Sequence, residues 1–270
     1  MRDFITEFGV RQALWTSNSV IFAIVGFLVS LVAIGGLAYL AIRRKDRLLL
    51  LITLVAIGAF WHAFNYTLIF TGFIRAVPDW YNKGIPFYYL IAPAAYFFVL
   101  VSLFPRVKWP RSIALHLLPF TFGLIDIIPY ALASPQEKIA LLEQIVHNMQ
   151  IGVQHDYGFI DQRWHYVGRF SMAFVYLIAQ WRLIYLHDIE VWPISFTDRR
   201  NVIYFSIIYT GHVLMQSGMV LSLMTNVQQS SFMMQDTDEL TVISIFYLLF
   251  SCWVLQQLLR NLRLKNENYG

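Results

Sequence analysis

Apolar residues gather along the chain in seven long runs divided by polar or charged connections. The runs are Val20–Ile42, Leu48–Thr71, Pro86–Phe104, Ile113–Ala133, Val167–His187, Val202–Thr225 and Leu240–Leu262. A helix needs about 20 residues, at about 1.5 Å per residue, to cross a hydrocarbon layer about 30 Å thick. None of the runs alternates polar and apolar positions as lipid-facing barrel strands do. The pattern predicts an all-α integral membrane protein, with a seven-helix bundle over residues 20–262. Residues 1–19 form an N-terminal segment in which Phe4, Ile5, Phe8, Leu14 and Trp15 suit a short interfacial helix. Asp3, Glu7 and Arg11 leave this segment without the apolar core of a cleavable signal. The longest connection, 134–166, contains Pro135–Gln150, where Ile139, Leu142, Ile145, Val146 and Met149 recur at helical spacing. That spacing predicts an amphipathic helix lying over the bundle or on the membrane surface.

Lys and Arg in the connections set the orientation. Arg43, Arg44, Lys45 and Arg47, then Arg106, Lys108 and Arg111, then Arg199 and Arg200, and finally Arg260, Arg263 and Lys265 fall on one side. The other side carries Arg2, Arg11, Arg75, Lys83, Lys138 and Arg163, half as many. The basic side is expected to be cytoplasmic. The N-terminus is then outside, the 134–166 loop outside, and the basic tail 263–270 inside a bacterial inner membrane.

Composition supports the membrane reading. The chain is 58% hydrophobic and 13% charged, where a soluble domain carries about 25% charged residues. The net charge of +4 comes from residues distributed between loops, so it reads as a topology signal, and no direct nucleic-acid binding is expected. The single cysteine, Cys252, excludes an internal disulfide and a cysteine-based metal cluster, and its apolar run predicts a buried packing role. HExxH, G-x-S-x-G and Gly-rich phosphate loops are absent, as is the last-helix lysine of retinal proteins. No enzymatic activity and no cofactor is therefore expected. His147, His155, Asp156, Asp161 and His165 in the outer loop match no metal-ligand spacing, so they read as solvated residues with no metal.

Polar groups inside a membrane are costly, about 2.5–3.5 kcal/mol for a central Asp or Arg, and so point to sites. His62, Asp126 and Gln216 fall about 20 Å from the inner ends of three different helices, by the helical rise. Asn65 and Tyr66 share a face with His62, His212 lies one turn from Gln216, Arg169 lies near the outer end of the fifth run, and Tyr88 and Tyr89 open the third. These nine residues are the candidate ligand-binding set, with His62 and Arg169 the expected partners of Asp126. A polar layer at one depth also suits hydrogen bonds that only join helices. Arg182 and His116 read as interfacial anchors.

The stretch PFYYLIAPAAYFFVLVSLF, the HLLPFTFGLIDIIPYALASPQEK that follows a basic connection, the upstream RRKDRLLLLITLVAI and the YLIAQWRLIYLH of the fifth run resemble the membrane-embedded N-terminal part of AraC-type transcription regulators of Bacteroidetes. The resemblance covers most of residues 20–265. It implies a membrane sensor whose last helix leads to a cytoplasmic helix-turn-helix domain; here Gly270 follows shortly after the seventh run, so the expectation is a sensor region without its output domain. Two functions are expected to compete. One is a receptor-like module that detects an outer ligand or partner and signals to a protein in the membrane or cytoplasm, with homo-oligomers as one form. The other is a non-catalytic accessory subunit of an envelope complex. A transporter ranks behind both, because no internal repeat is visible.

Overall fold

The structure is a computed structural model that describes residues 18–109, 111–148, 150–155, 157–189, 196–225 and 236–267. The N-terminal interfacial segment, Met149 and Asp156 lie outside these residues. Among the described residues the fold is all-α. The helices are α1 (Asn18–Arg44), α2 (Arg47–Phe70), α3 (Ile85–Leu103), α4 (Leu118–Asp126), α5 (Ile128–Leu132), α6 (Pro135–His147), α7 (Ile151–Gln154), α8 (Gln162–Ile189), α9 (Phe196–Thr225) and α10 (Asp236–Glu267). Short 3-10 turns at Phe73–Ala76, Pro78–Trp80 and Arg111–Leu117 complete the described elements.

Among the described residues, five segments, not seven, are long and apolar enough to cross a membrane: Ile21–Arg44, Arg47–Phe70, Pro78–Leu103, Arg111–Leu132 and Thr241–Arg263. The helices α8 and α9 have the length but carry polar groups that face inward. Gln180 of α8 donates to Ser206 of α9 at 2.7 Å, and Trp181 donates to Thr210 at 3.0 Å. Asn201 of α9 and Gln257 of α10 exchange two amide hydrogen bonds, at 3.0 and 2.8 Å. These contacts join α8, α9 and α10 while lowering the hydropathy of the first two.

The centre of the bundle is α3. In its apolar stretch 67% of the residues are buried, against 11% in Arg111–Leu132. Ala92, Ala94 and Ala95 let neighbouring helices approach it closely, and it packs on α2, α4, α8 and α9. Phe98 meets Phe205 of α9 edge-to-face at 4.7 Å, and Phe205 meets Trp253 of α10 at 5.0 Å. The most extensive pairing is between α1 and α10. Large apolar side chains point outward from the rim, among them Leu31, Val32, Phe122, Val175, Ile178 and Leu249, the surface a bilayer would cover. Cys252 is exposed on α10 and not buried, because its helix turns Ser251 and Trp253 inward instead.

The fourth apolar run is not one helix. It starts as a 3-10 turn, passes into α4 at Leu118, and breaks at Ile127 before α5. Pro129 lacks the N–H that would reach back to Ile125, and its ring crowds that carbonyl. The break leaves Asp126 at the end of α4, facing the outer loop. The basic connections meet at the other end: Arg44 donates to the Asn261 carbonyl, and Arg47 to the carbonyls of Pro105 and Val107.

Candidate functional site

The end of the bundle opposite the basic connections, expected to be the outer one, is roofed by the loop between α5 and α8. Ser134 caps α6, accepting from the Glu137 N–H, while the Glu137 carboxylate accepts from the Ser134 N–H at 2.8 Å. Pro135 follows in the first turn, where its missing N–H costs nothing. The helix ends at His147, short of the expected Gln150. It buries Lys138, Leu141, Leu142, Ile145 and Val146, so Ile139, expected on the apolar face, is exposed. Lys138 takes the inward position because its ammonium donates to Asp79 at 2.8 Å and to the Ala131 carbonyl at 3.2 Å. Below α6, Tyr130 donates to the Pro78 carbonyl at 2.7 Å.

Seven of the nine candidate residues meet beneath this roof. The Gln216 amide nitrogen bridges two imidazoles, donating to His62 Nδ1 at 3.0 Å and to His212 Nε2 at 2.6 Å. The edge of Tyr88 packs on His62 with 5.4 Å between centroids. The guanidinium of Arg169 lies over the rings of Tyr88, Tyr166 and Phe170, at 5.0, 4.9 and 4.8 Å. Asn65 donates to the Tyr81 carbonyl at 3.1 Å. A cavity of about 100 Å³ opens between Asn65, Tyr66, Tyr88 and Arg169 on the bundle side and Ile145 and Val153 on the roof side. A smaller one, about 30 Å³, continues inward from Arg169 to His212 and Gln216. Arg169 Nε and Nη2 and Asn65 Oδ1 are sealed from solvent and have no hydrogen-bond partner among the described residues.

Asp126 and Tyr89 belong to a separate cluster. His165 Nε2–H donates to Asp126 at 2.8 Å, Tyr89 O–H donates to His165 Nδ1 at 2.9 Å, and the Ile160 N–H donates to the other Asp126 oxygen at 2.9 Å. Asp126 is paired as a buried carboxylate must be, but its partner is His165, not His62 or Arg169. His165, expected as a solvated loop residue, is 6% exposed. The reason is that α8 begins at Gln162, five residues before the apolar run. That early start also places Gln162 and Tyr166 on the Arg169 face, at i−7 and i−3, and both line the larger cavity. The polar residues at 162 and 165 hid this extension in the sequence; only the spacing back from Arg169 signalled it.

A third group ties the roof down. His155 Nε2 hydrogen-bonds Tyr81 at 3.1 Å, and its ring packs edge-on against Tyr157 with centroids 3.7 Å apart. Among the described residues His155 Nδ1 is buried without a partner, and burial pushes the imidazole down to about 3, against a smaller upward pull from Asp161. His147 is exposed. No group of three or more metal-ligating side chains occurs among the described residues. At the inner end His116 hydrogen-bonds Tyr176, and Arg182 is exposed.

Comparison with known protein families, with curated proteins and with solved structures returns no match for the chain. The multi-spanning helical bundle and the polar chamber beneath its roof therefore stand on their own geometry.

Proposed function

We propose that the chain is a receptor-like, seven-helix sensor module of the bacterial inner membrane, of the kind carried by the AraC-type membrane regulators it resembles. Its N-terminus is outside, and α8 and α9 cross the bilayer with the five more apolar segments. The ligand enters from the outer face and occupies the chamber beneath α6 and α7. Binding there shifts the helices that line it, and α9 and α10 carry the change to a cytoplasmic or membrane partner.

The observation that carries this reading is Arg169. Buried donors are nearly always satisfied, and an unmade bond to a charged group costs more than the usual 1–3 kcal/mol. Arg169 has three aromatic faces around it and, among the described residues, no acceptor on two of its nitrogens. Among the helix joints, Asn201 and Gln257 satisfy each other, and Gln180 leaves only a neutral amide oxygen without a partner among the described residues; Arg169 differs in that its unpartnered atoms belong to a charged group. Arg169 is arranged to receive an acceptor from outside the chain, and a small anion, carboxylate or phosphate, is the chemistry that fits. The satisfied Gln216 bridge between His62 and His212 is what favours the second reading, an accessory subunit whose polar layer serves assembly.

Thermal unfolding of purified protein in detergent, with acetate, succinate and inorganic phosphate titrated in turn, separates the two. The receptor reading expects at least one anion to stabilise the wild type in a saturable way and not to stabilise Arg169→Gln. The substitution itself should leave the unliganded protein as stable or more stable, since it removes an uncompensated charge. If no anion shifts either protein and Arg169→Gln is markedly destabilised, the layer is a helix joint and the accessory-subunit reading replaces the receptor.

A further inference from the structure

The chamber beneath the roof holds two polar needs of opposite sense. On α8, Arg169 Nε and Nη2 are donors sealed from solvent and, among the described residues, without an acceptor. These two nitrogens form one edge of the guanidinium, a pair of parallel N–H groups that matches the two oxygens of a carboxylate. On α2, Asn65 Oδ1 is an acceptor, equally sealed and, among the described residues, without a donor. Its amide nitrogen donates to the Tyr81 carbonyl at 3.1 Å. The amide cannot be turned over, because that would set oxygen against oxygen. Asn65 and Arg169 line the same cavity of about 100 Å³. A bare anion answers the guanidinium but only meets repulsion at an amide oxygen, so the occupant that fits carries a donor as well.

Size and charge narrow the occupant further. At roughly 30 Å³ of liquid volume per water, the cavity has room for about three waters, far less than the roughly 300–1,000 Å³ of a drug-sized site. Two or three carbons fill it. Among the described residues that line it, Arg169 is the one Lys or Arg, and Asp and Glu are absent. A dicarboxylate would bury a second negative charge with no cation to meet it, and an amino acid would bury an ammonium with no carboxylate. A water answers both hydrogen bonds but leaves the guanidinium charge uncompensated. A carboxylate joined to a hydroxyl answers every condition. The carboxylate accepts from Nε and Nη2 and cancels the charge, the hydroxyl donates to Asn65 Oδ1, and the carbon chain meets the apolar side chains of Ile69, Ile85 and Val153 in the lining.

We propose, resting on the reading of Arg169 as the receiver of an anion, that the chamber binds a short hydroxy acid of two or three carbons, with its carboxylate on Arg169 and its hydroxyl on Asn65. Arg169 then supplies attraction for any small anion. Asn65 supplies the selection, since its oxygen favours an acid that carries a hydroxyl over one of the same shape that does not.

Ligand-observed NMR of the purified full chain in detergent tests this with glycolate, propionate and glycine. The three have the same number of heavy atoms and differ in one group, a hydroxyl, a methyl or an ammonium. Glycolate should bind about fivefold more tightly than propionate, the net worth of one hydrogen bond, and more tightly than glycine. Asn65→Leu should bring glycolate and propionate to equal affinity, and Arg169→Gln should abolish binding of both. Equal, Arg169-dependent binding of glycolate and propionate by the wild type overturns the hydroxy-acid assignment and leaves the anion reading of Arg169 standing. Tighter binding of glycine, or a glycolate preference that survives Asn65→Leu, also overturns it. Binding of none of the three overturns it too; the anion reading falls with it only if acetate, succinate and phosphate also fail to stabilise the wild type. A thermal midpoint for each variant separates loss of binding from loss of fold. If Asn65→Leu does not fold, Asn65→Ala takes its place, and the order of the three ligands on the wild type decides by itself.

Discussion

Gly158 leaves no room for a side chain: a Cβ there would collide with both carboxylate oxygens of Asp126. The loop carrying Ile160 can close over Asp126 only because residue 158 is small, and the Ile160 N–H then reaches the carboxylate. Gly158→Ala should destabilise the protein by about 1–3 kcal/mol through overpacking. Asp126→Asn keeps the shape but replaces the charge-assisted bond from His165. The two sites touch, so the double variant should depart from the sum of the singles by about 0.5 kcal/mol or more. Thermal unfolding of the four proteins measures this; strict additivity would mean that the contact carries no energy. That Asp126 had to be paired was legible from its place in an apolar run. Its partner was not, because His165 precedes that helix's apolar stretch and a helix start among polar residues leaves no hydropathy mark. Cys252 was misread for a related reason: in a membrane an apolar run does not distinguish a lipid-facing position from a buried one.

At the scale of elements, α6 and the loop after it form a roof seated on an apolar cluster that includes Leu141, Leu142, Ile145 and Val146. Lys138 on one side and His155 on the other are its fasteners. His155 is neutral in the closed form, since its depressed value of about 3 lies below the ordinary 6.5. An opened loop binds the proton more readily. The closed form therefore keeps its full stability above about pH 6.5 and loses it as the pH falls toward 3, by at most about 1.4 kcal/mol per unit. Hydrogen–deuterium exchange over residues 138–160, corrected for intrinsic rates, should be faster at pH 5.5 than at pH 7.5. His155→Asn should flatten the difference; an unchanged pH dependence in that variant would remove His155 as the cause. Lys138→Ala should open the same segment at both pH values, because it removes the buried ammonium's bonds to the exposed Asp79 carboxylate and to the Ala131 carbonyl. The helix itself was legible from its spacing, but its inward face was not, because a lysine stands where the pattern asks for an apolar residue and only the positions of Asp79 and Ala131 explain it.

For the whole molecule, the orientation rests on the uneven distribution of Lys and Arg, and the fold gathers the basic connections at one end. In a Cys252→Ser background, Gln150→Cys should react with a membrane-impermeant maleimide added to intact spheroplasts, and Lys108→Cys should react only after lysis. The opposite pattern would invert the bundle, moving the Arg169 chamber to the inner face. The apolar runs made the helical layout readable. They could not show that α3 sits at the centre, or that α8 and α9 turn their polar residues inward, because both depend on which helices become neighbours. The pairing of α1 with α10 has a consequence in time. Ser30 bonds Ser251 at 2.7 Å, and Gly36 lies so close to Leu258 that a Cβ would come within 2.6 Å of it. At about 5–20 residues per second, a ribosome reaches α10 on the order of tens of seconds after completing α1. For that interval α1 stands in the bilayer with its hydroxyl and its small-residue face uncovered. Closure of the bundle is thus the final step of its manufacture, and a chain interrupted before α10 should be recognised and degraded by membrane proteases, however well its earlier helices have inserted.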